Sequence, residues 1–140
     1  MRTLNKVLLI GRLGHDPELQ YSKAGKAYCR LRMATTQSWT NKDDKRESRT
    51  EWHSVFAWGS RAEYCAKSLR SGSLVLVEGS LTHWQGLENH ESTAVHADDI
   101  QLLKPSSRSL QVAEARTPED LDNPDGARNH NAVAHPVSGF

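Results

Sequence analysis

From residue 6 to residue 104 the chain is built of short runs in which apolar and polar positions alternate, separated by glycine, proline and charged clusters. Residues 28–36 show the rule most clearly. Cys29, Leu31 and Met33 fall on one face and Tyr28, Arg30 and Arg32 on the other, the two-residue repeat of a strand with one buried side. Residues 51–58 repeat it, with His53, Val55 and Ala57 against Trp52, Ser54, Phe56 and Trp58, and Gly59 ends the run. Residues 6–13 are rich in Val, Leu and Ile and stop at Gly14 and Asp16-Pro17; residues 18–21 form a short extended piece before a turn at 23–26. Two further strands are expected over 74–84, interrupted by Gly79, and over 92–103. Only residues 60–70 depart from the pattern. Ser60 with Glu63 three positions on has the form of a capping box, Tyr64, Cys65, Ser68 and Leu69 make a helical face, and Gly72 lies beyond its end.

Five main strands with one helix between the third and fourth predict an all-β fold, the five-stranded oligonucleotide-binding (OB) barrel. Its expected extent is residues 1–104. Beyond Lys104 come four of the five prolines, with few large apolar residues and no period, so residues 105–140 are expected to be a disordered tail unable to offset its ordering entropy. Net charge is only +1, yet it divides unevenly: residues 1–104 carry 15 Lys and Arg against 12 Asp and Glu, and residues 105–140 carry 3 against 5. A mildly basic body with an acidic tail is a weak pointer to an anionic partner. The apolar stretch Val7 to Ile10 is too short for a signal-peptide core, and no run nears the roughly 18 residues that span a bilayer. A cytoplasmic, nucleoid-associated location follows as an expectation. Cys29 and Cys65 lack a CxxC partner and read as two free thiols packed like small hydrophobes, with a disulfide as the alternative.

The chemistry sits on the third long strand. Trp52, Phe56 and Trp58 share a face, and two tryptophans on one side are bulky for the interior of a small barrel supplied with Val, Leu and Ile. They are either core or a platform for stacking bases, and neighbouring cations favour the platform: Arg30 and Arg32 project from the same side of the preceding strand, and Arg46 and Arg49 precede Trp52. The segment WTNKDDKRESR, residues 39–49, reads as a charged hairpin loop that opens with Trp39, and Trp84 stands beside a second expected loop at 85–91. Rings for bases and cations for phosphates are what a single strand requires, with Arg30, Arg32, Arg49 and Lys6 as candidate phosphate contacts. The 74–77 run is apolar on both faces, so Leu74 and Leu76, if outward, need cover from another subunit or from the helix and loops.

These residues resemble a known family. NKVLLIGRLGHDPELQY at 5–21, ATTQSW at 34–39, TEWH at 50–53 and GSLVLVEG at 72–79 stand in the same order in bacterial single-stranded DNA-binding proteins, and the likeness covers about residues 3–104. It implies a homotetramer of OB barrels that binds single-stranded DNA without regard to sequence during replication, recombination and repair. It implies that Trp39, Trp52 and Trp58 stack on bases, Trp58 standing where the family usually has Phe. Trp84 matches the family's fourth aromatic loosely. The resemblance also implies that His53 lies at a subunit interface, and Leu74 and Leu76 where two dimers meet. Family members usually end in an acidic run closing on Pro-Phe that recruits replication and repair proteins. Here Phe140 is the last residue, but Glu119, Asp120, Asp122 and Asp125 lie some 15 positions upstream, which removes the adjacent carboxylates that a basic pocket would pair with.

Other classes fit less well. No HExxH, Cys/His cluster, GxSxG or phosphate-cradling GxxxxGK[ST] is present, and His83, His90 and His96 lack ligand spacing, so neither enzyme, metal site nor cofactor is expected. A protein–protein adaptor on the same barrel remains the alternative, against which the four tryptophans argue. A barrel for oligosaccharide or structured RNA fits the Lys- and Arg-flanked loops less well than one for single strands.

Overall fold

The computed structural model describes residues 2–85, 88 and 90–107; of the tail expected to be disordered, all but residues 105–107, Phe140 included, lies outside the described residues. The elements are β1 (Val7–Leu13), β2 (Leu19–Tyr21), β3 (Ala27–Thr40), β4 (Arg46–Trp58), α1 (Ser60–Ser68), β5 (Leu74–Gln85) and β6 (Glu91–Lys104). Hydrogen bonding runs β1-β5-β6-β4-β3-β2, and β1 also pairs with β3, so the five long strands close into a barrel. The short β2 adds to the edge of β3 through Leu19–Cys29 and Tyr21–Ala27. All pairings are antiparallel except β4 with β6, which run parallel through Val55–Val95 and Phe56–His96. Closure brings backbones together where a side chain would not fit. A Cβ on Gly11 would collide with the Ala34 carbonyl of β3, and one on Gly79, at the β5 bulge, with the His96 carbonyl of β6.

Alternation sorts the residues as the pattern predicted. Cys29, Leu31 and Met33 of β3, Val55 and Ala57 of β4, and Val75 and Val77 of β5 all point inward and are buried. The helix covers the core with Ala62, Cys65 and Leu69. Of the expected face Cys65 and Leu69 are buried, whereas Tyr64 and Ser68 are exposed and Ala62 completes the buried side. The expected capping box does not form. Gly59, at φ 63°, occupies the N-cap with no side-chain cap, and the Glu63 amide donates to the Gly59 carbonyl at 3.2 Å. A left-handed turn off the end of β4 demands glycine at that position, which displaces Ser60 into the helix. The far end is closed by Arg70, whose guanidinium donates to the carbonyls of Ala66 at 3.0 Å and Leu69 at 2.7 Å. Both cysteines are free, and burial pushes both thiols up, Cys65 to about 12, so each stays neutral in the core.

The chain between Trp39 and Arg49 is mostly strand rather than loop. β3 continues to Thr40 and β4 starts at Arg46, in unbroken register from Tyr28–Trp58 to Thr40–Arg46. Only residues 41–45 turn, and Asn41 organises them: its Oδ1 accepts from the amides of Asp43 at 2.9 Å and Lys45 at 3.0 Å, and its Nδ2 donates to Glu47 at 2.9 Å. From Thr36 to Arg49 all but Asn41 are exposed. With water on both faces, hydrophobic alternation has no cause there, and the sequence loses its strand signature.

Candidate nucleic-acid interface

The outward face of β4 carries Trp52, Ser54, Phe56 and Trp58 in one row, because the intervening Val55 and Ala57 are held in the core. Register fixes their neighbours on β3: Trp52 opposes Ala34, Ser54 opposes Arg32, Phe56 opposes Arg30 and Trp58 opposes Tyr28. Paired residues of an antiparallel ladder share a face, so the two arginines and Tyr28 border the ring row. Ser54 tethers both guanidinium groups: Arg30 Nη2 donates to its Oγ at 3.2 Å and Arg32 Nη1 at 3.1 Å. The Arg32 guanidinium also lies 5.9 Å from the centre of the Trp52 ring, and Lys26 Nζ lies 5.4 Å from that of Trp58. Cations and rings therefore alternate along one surface, and neither arginine is paired with a carboxylate among the described residues.

Two open clefts are let into this surface. The larger, about 550 Å³, is lined by Ser22, Tyr28, Phe56, Trp58, Thr82, Trp84 and His96. Tyr28 and Trp58 tilt against each other with centres 5.1 Å apart, and Trp84 stands edge-on to Phe56 at 5.6 Å. The smaller, about 280 Å³, lies between Gly14, His15, Arg32 and Trp52. Trp52 is 51% exposed, yet one edge of its indole rests on Gly14, where a Cβ would stand only 2.6 Å from the ring. Arg32 on one side and bare backbone on the other hold this ring in place.

Not every expected site residue joins the row. Trp39 is exposed, but its ladder partner is Glu47, and it shares the parity of Leu31 and Met33, so it projects from the hairpin face opposite Trp52. Arg49 lies on that opposite face too and is ion-paired with Glu51 at 2.7 Å. Lys6 contacts Glu78 at 2.6 Å, and this hydrogen-bonded ion pair raises its pKa; Glu78 is the β5 partner of Leu8, which ties Lys6 to the β1–β5 wall. His53 is half-buried on the inward parity and shares a 2.8 Å hydrogen bond with Thr35 Oγ1. Leu74 and Leu76 do point outward, alternating with buried Val75 and Val77, and Leu76 faces Ile10 of β1. Ile10 and Leu8 are more than half exposed and extend that apolar wall, although the sequence reading had not singled them out.

Three contributors to the ring surface were also missed as site residues. Tyr28 was legible by alternation with Arg30 and Arg32. Lys26 was assigned to a turn, and only its approach to Trp58 reveals it. His96 reaches the surface through the parallel β4–β6 pairing, which no local pattern announces.

The family profile described as "Single-strand binding protein family" matches residues 4–103. The single-stranded DNA-binding protein of Neisseria meningitidis serogroup A is 39% identical over 105 residues, covering 72% of this chain and 60% of the relative. Single-stranded DNA-binding protein 1 of Xylella fastidiosa is 36% identical over 121 residues, covering 83% of this chain and 89% of the relative. The match thus spans about 60% of the length of the Neisseria relative and most of the Xylella one. Among solved structures, a deletion mutant of the single-stranded DNA binding protein from Thermus aquaticus superposes with a TM-score of 0.64 at 31% identity, over 72% of this chain and 51% of that one. Plasmodium falciparum SSB in complex with ssDNA gives 0.64 at 27% identity, over 74% and 98%. Sequence, barrel topology and outward ring row agree, and the chain belongs to the single-strand binding protein family.

Proposed function

We propose that this chain binds single-stranded DNA without regard to sequence, protecting it in the cytoplasm, at the nucleoid, during replication, recombination and repair. The observation that carries the reading is the division of β4: Val55 and Ala57 in the core, and Trp52, Phe56 and Trp58 outward beside Arg30 and Arg32. Bases stack on exposed rings at roughly 1–3 kcal/mol each whatever their identity, and the guanidinium groups take the phosphates. The work is binding, with no bond made or broken. Trp84 extends the track from β5, while Trp39 and Arg49 contribute from the far side of the hairpin, so a strand that touches them passes around its edge.

The working form is a homotetramer. Leu8, Ile10, Leu74 and Leu76 form an apolar wall on β1 and β5 that a second copy covers, with His53 at a further contact between subunits. Phe140 anchors replication and repair proteins weakly, for want of adjacent acids. Among the described residues no helix is long and apolar enough to cross a membrane.

Titrating tryptophan fluorescence with oligo(dT) at low and high salt, on protein sized by light scattering, tests the reading. Quenching that saturates at a few tens of nucleotides per tetramer, and weakens without vanishing at high salt, is the expected result. A folded tetramer whose fluorescence ignores DNA would refute the stacking role and bring forward the adaptor.

A further inference from the structure

Stacking tolerates every base, because each has a π-face, and gives at most modest preferences, whereas specific recognition of a single-stranded base adds hydrogen bonds to its edge. The larger cleft supplies both. Its walls are Tyr28, Phe56, Trp58 and Trp84, and its polar groups include His96 and Thr82. His96 is half-buried, set on β6 beside Phe56 on one side and Ser80 on the other. Its hydrogen-bonding state differs from that of three other described histidines. His15, His53 and His83 each hydrogen-bond a neighbour, to the Asp16 carbonyl, Thr35 and Thr93 respectively. Among the described residues His96 has no such bond. The Thr82 hydroxyl donates to the Ala94 carbonyl at 3.2 Å, which leaves its oxygen lone pairs available. At about 550 Å³ the cleft falls within the roughly 300–1,000 Å³ span of small-ligand pockets, room enough for one base among the rings.

We propose that this cleft is a base-reading subsite, in which one nucleobase of the bound strand inserts among the rings and His96 hydrogen-bonds its edge. The proposal rests on single-stranded DNA being the ligand, and it gives an otherwise indifferent track one position with a base preference. Thymine and cytosine are the discriminating pair. Both are single-ring pyrimidines; thymine carries an added C5 methyl, and at the edge it presents a carbonyl where cytosine presents an amino group. An imidazole nitrogen, as donor or acceptor, cannot serve both equally.

The test compares Kd for oligo(dT) and oligo(dC) of equal length, at one salt concentration, for the full chain and for His96→Val and His96→Asn. Valine suits an outward strand position and removes the polar edge; asparagine keeps a donor and an acceptor. The expected result is that His96→Val moves the ratio of the two Kd values by about two- to tenfold, the worth of one net hydrogen bond. His96→Asn, with unchanged circular dichroism, retains a ratio unlike that of the valine variant. If His96→Val leaves the ratio where it was, whether or not both affinities fall together, the subsite is overturned while DNA binding stands. If the unaltered chain binds neither oligonucleotide, the functional reading fails first and the subsite with it.

Discussion

The hairpin of β3 and β4 contains two regions of identical backbone and opposite character. Near the barrel, from Tyr28 to Met33 and from His53 to Trp58, every second residue is locked into the core. Beyond it, from Thr36 to Thr40 and from Arg46 to Thr50, the same ladder continues with water on both sides. Side-chain direction is equally well defined in both halves, but its consequence differs. In the barrel half the inward set supplies stability and the outward set is left for function. In the extension both sets are free; Trp39 there and Trp52 at its root stand on opposite faces, and both remain available for contact. A ladder thus fixes where a ring points, and only packing behind it decides whether the ring is structural.

The largest expected effect separates the halves by stability. Leu31→Ala empties a fully buried core position and should cost about 2–5 kcal/mol in urea unfolding. Gln37→Ala, on the same parity but in the extension, should stay within about 0.5 kcal/mol. Comparable losses would mean that the extension is packed against something in solution, a second copy being the first suspect.

Next comes the ring that joins the two halves. Trp52→Ala should weaken oligo(dT) binding by roughly 1–3 kcal/mol, with the unfolding midpoint and oligomeric mass unchanged. Binding as tight as that of the unaltered chain removes Trp52 from the platform. Gly14→Ala should act through the same ring, since the added methyl displaces the indole edge. A smaller loss is expected, about 1 kcal/mol or less, and combined with Trp52→Ala it should add nothing further. Additive losses would show that Gly14 serves the backbone rather than the indole.

What was legible follows from where the driving force was local. Val55 and Ala57 against Trp52, Phe56 and Trp58 could be read from period two because one face is dehydrated, and the glycine breaks bounded the strands correctly. The charged run at 39–49 hid its strands because nothing buries either face and the turn is set by one residue, Asn41. Gly59 could not be told from any other strand-ending glycine until its φ of 63° showed it taking the cap from Ser60. The cleft was illegible for a different reason. It joins Phe56 to His96 and Trp84 across connections that bring distant strands together, and residue order carries no mark of a parallel partner 40 positions away. The pairing of two candidate cations was hidden on similar grounds, since a sequence shows charge but not the carboxylate that Lys6 or Arg49 meets.

Those paired cations give the smallest expected effect. Arg32 reaches the ring row with its charge uncompensated, held by Ser54 and Trp52, whereas Arg49 spends much of its charge on Glu51 at 2.7 Å. Each phosphate neutralised by a free cation releases counterions, at about 0.7 in the slope of log K against log salt for single strands. Arg32→Ala should therefore flatten that slope by about 0.7, and Arg49→Ala by much less. The Arg49–Glu51 pair is exposed, so its own strength is slight and salt weakens it. Equal slopes for the two variants would mean that DNA displaces Glu51 from Arg49. The extension would then bind phosphate as strongly as the barrel wall, and the difference between the two halves would be one of stability alone.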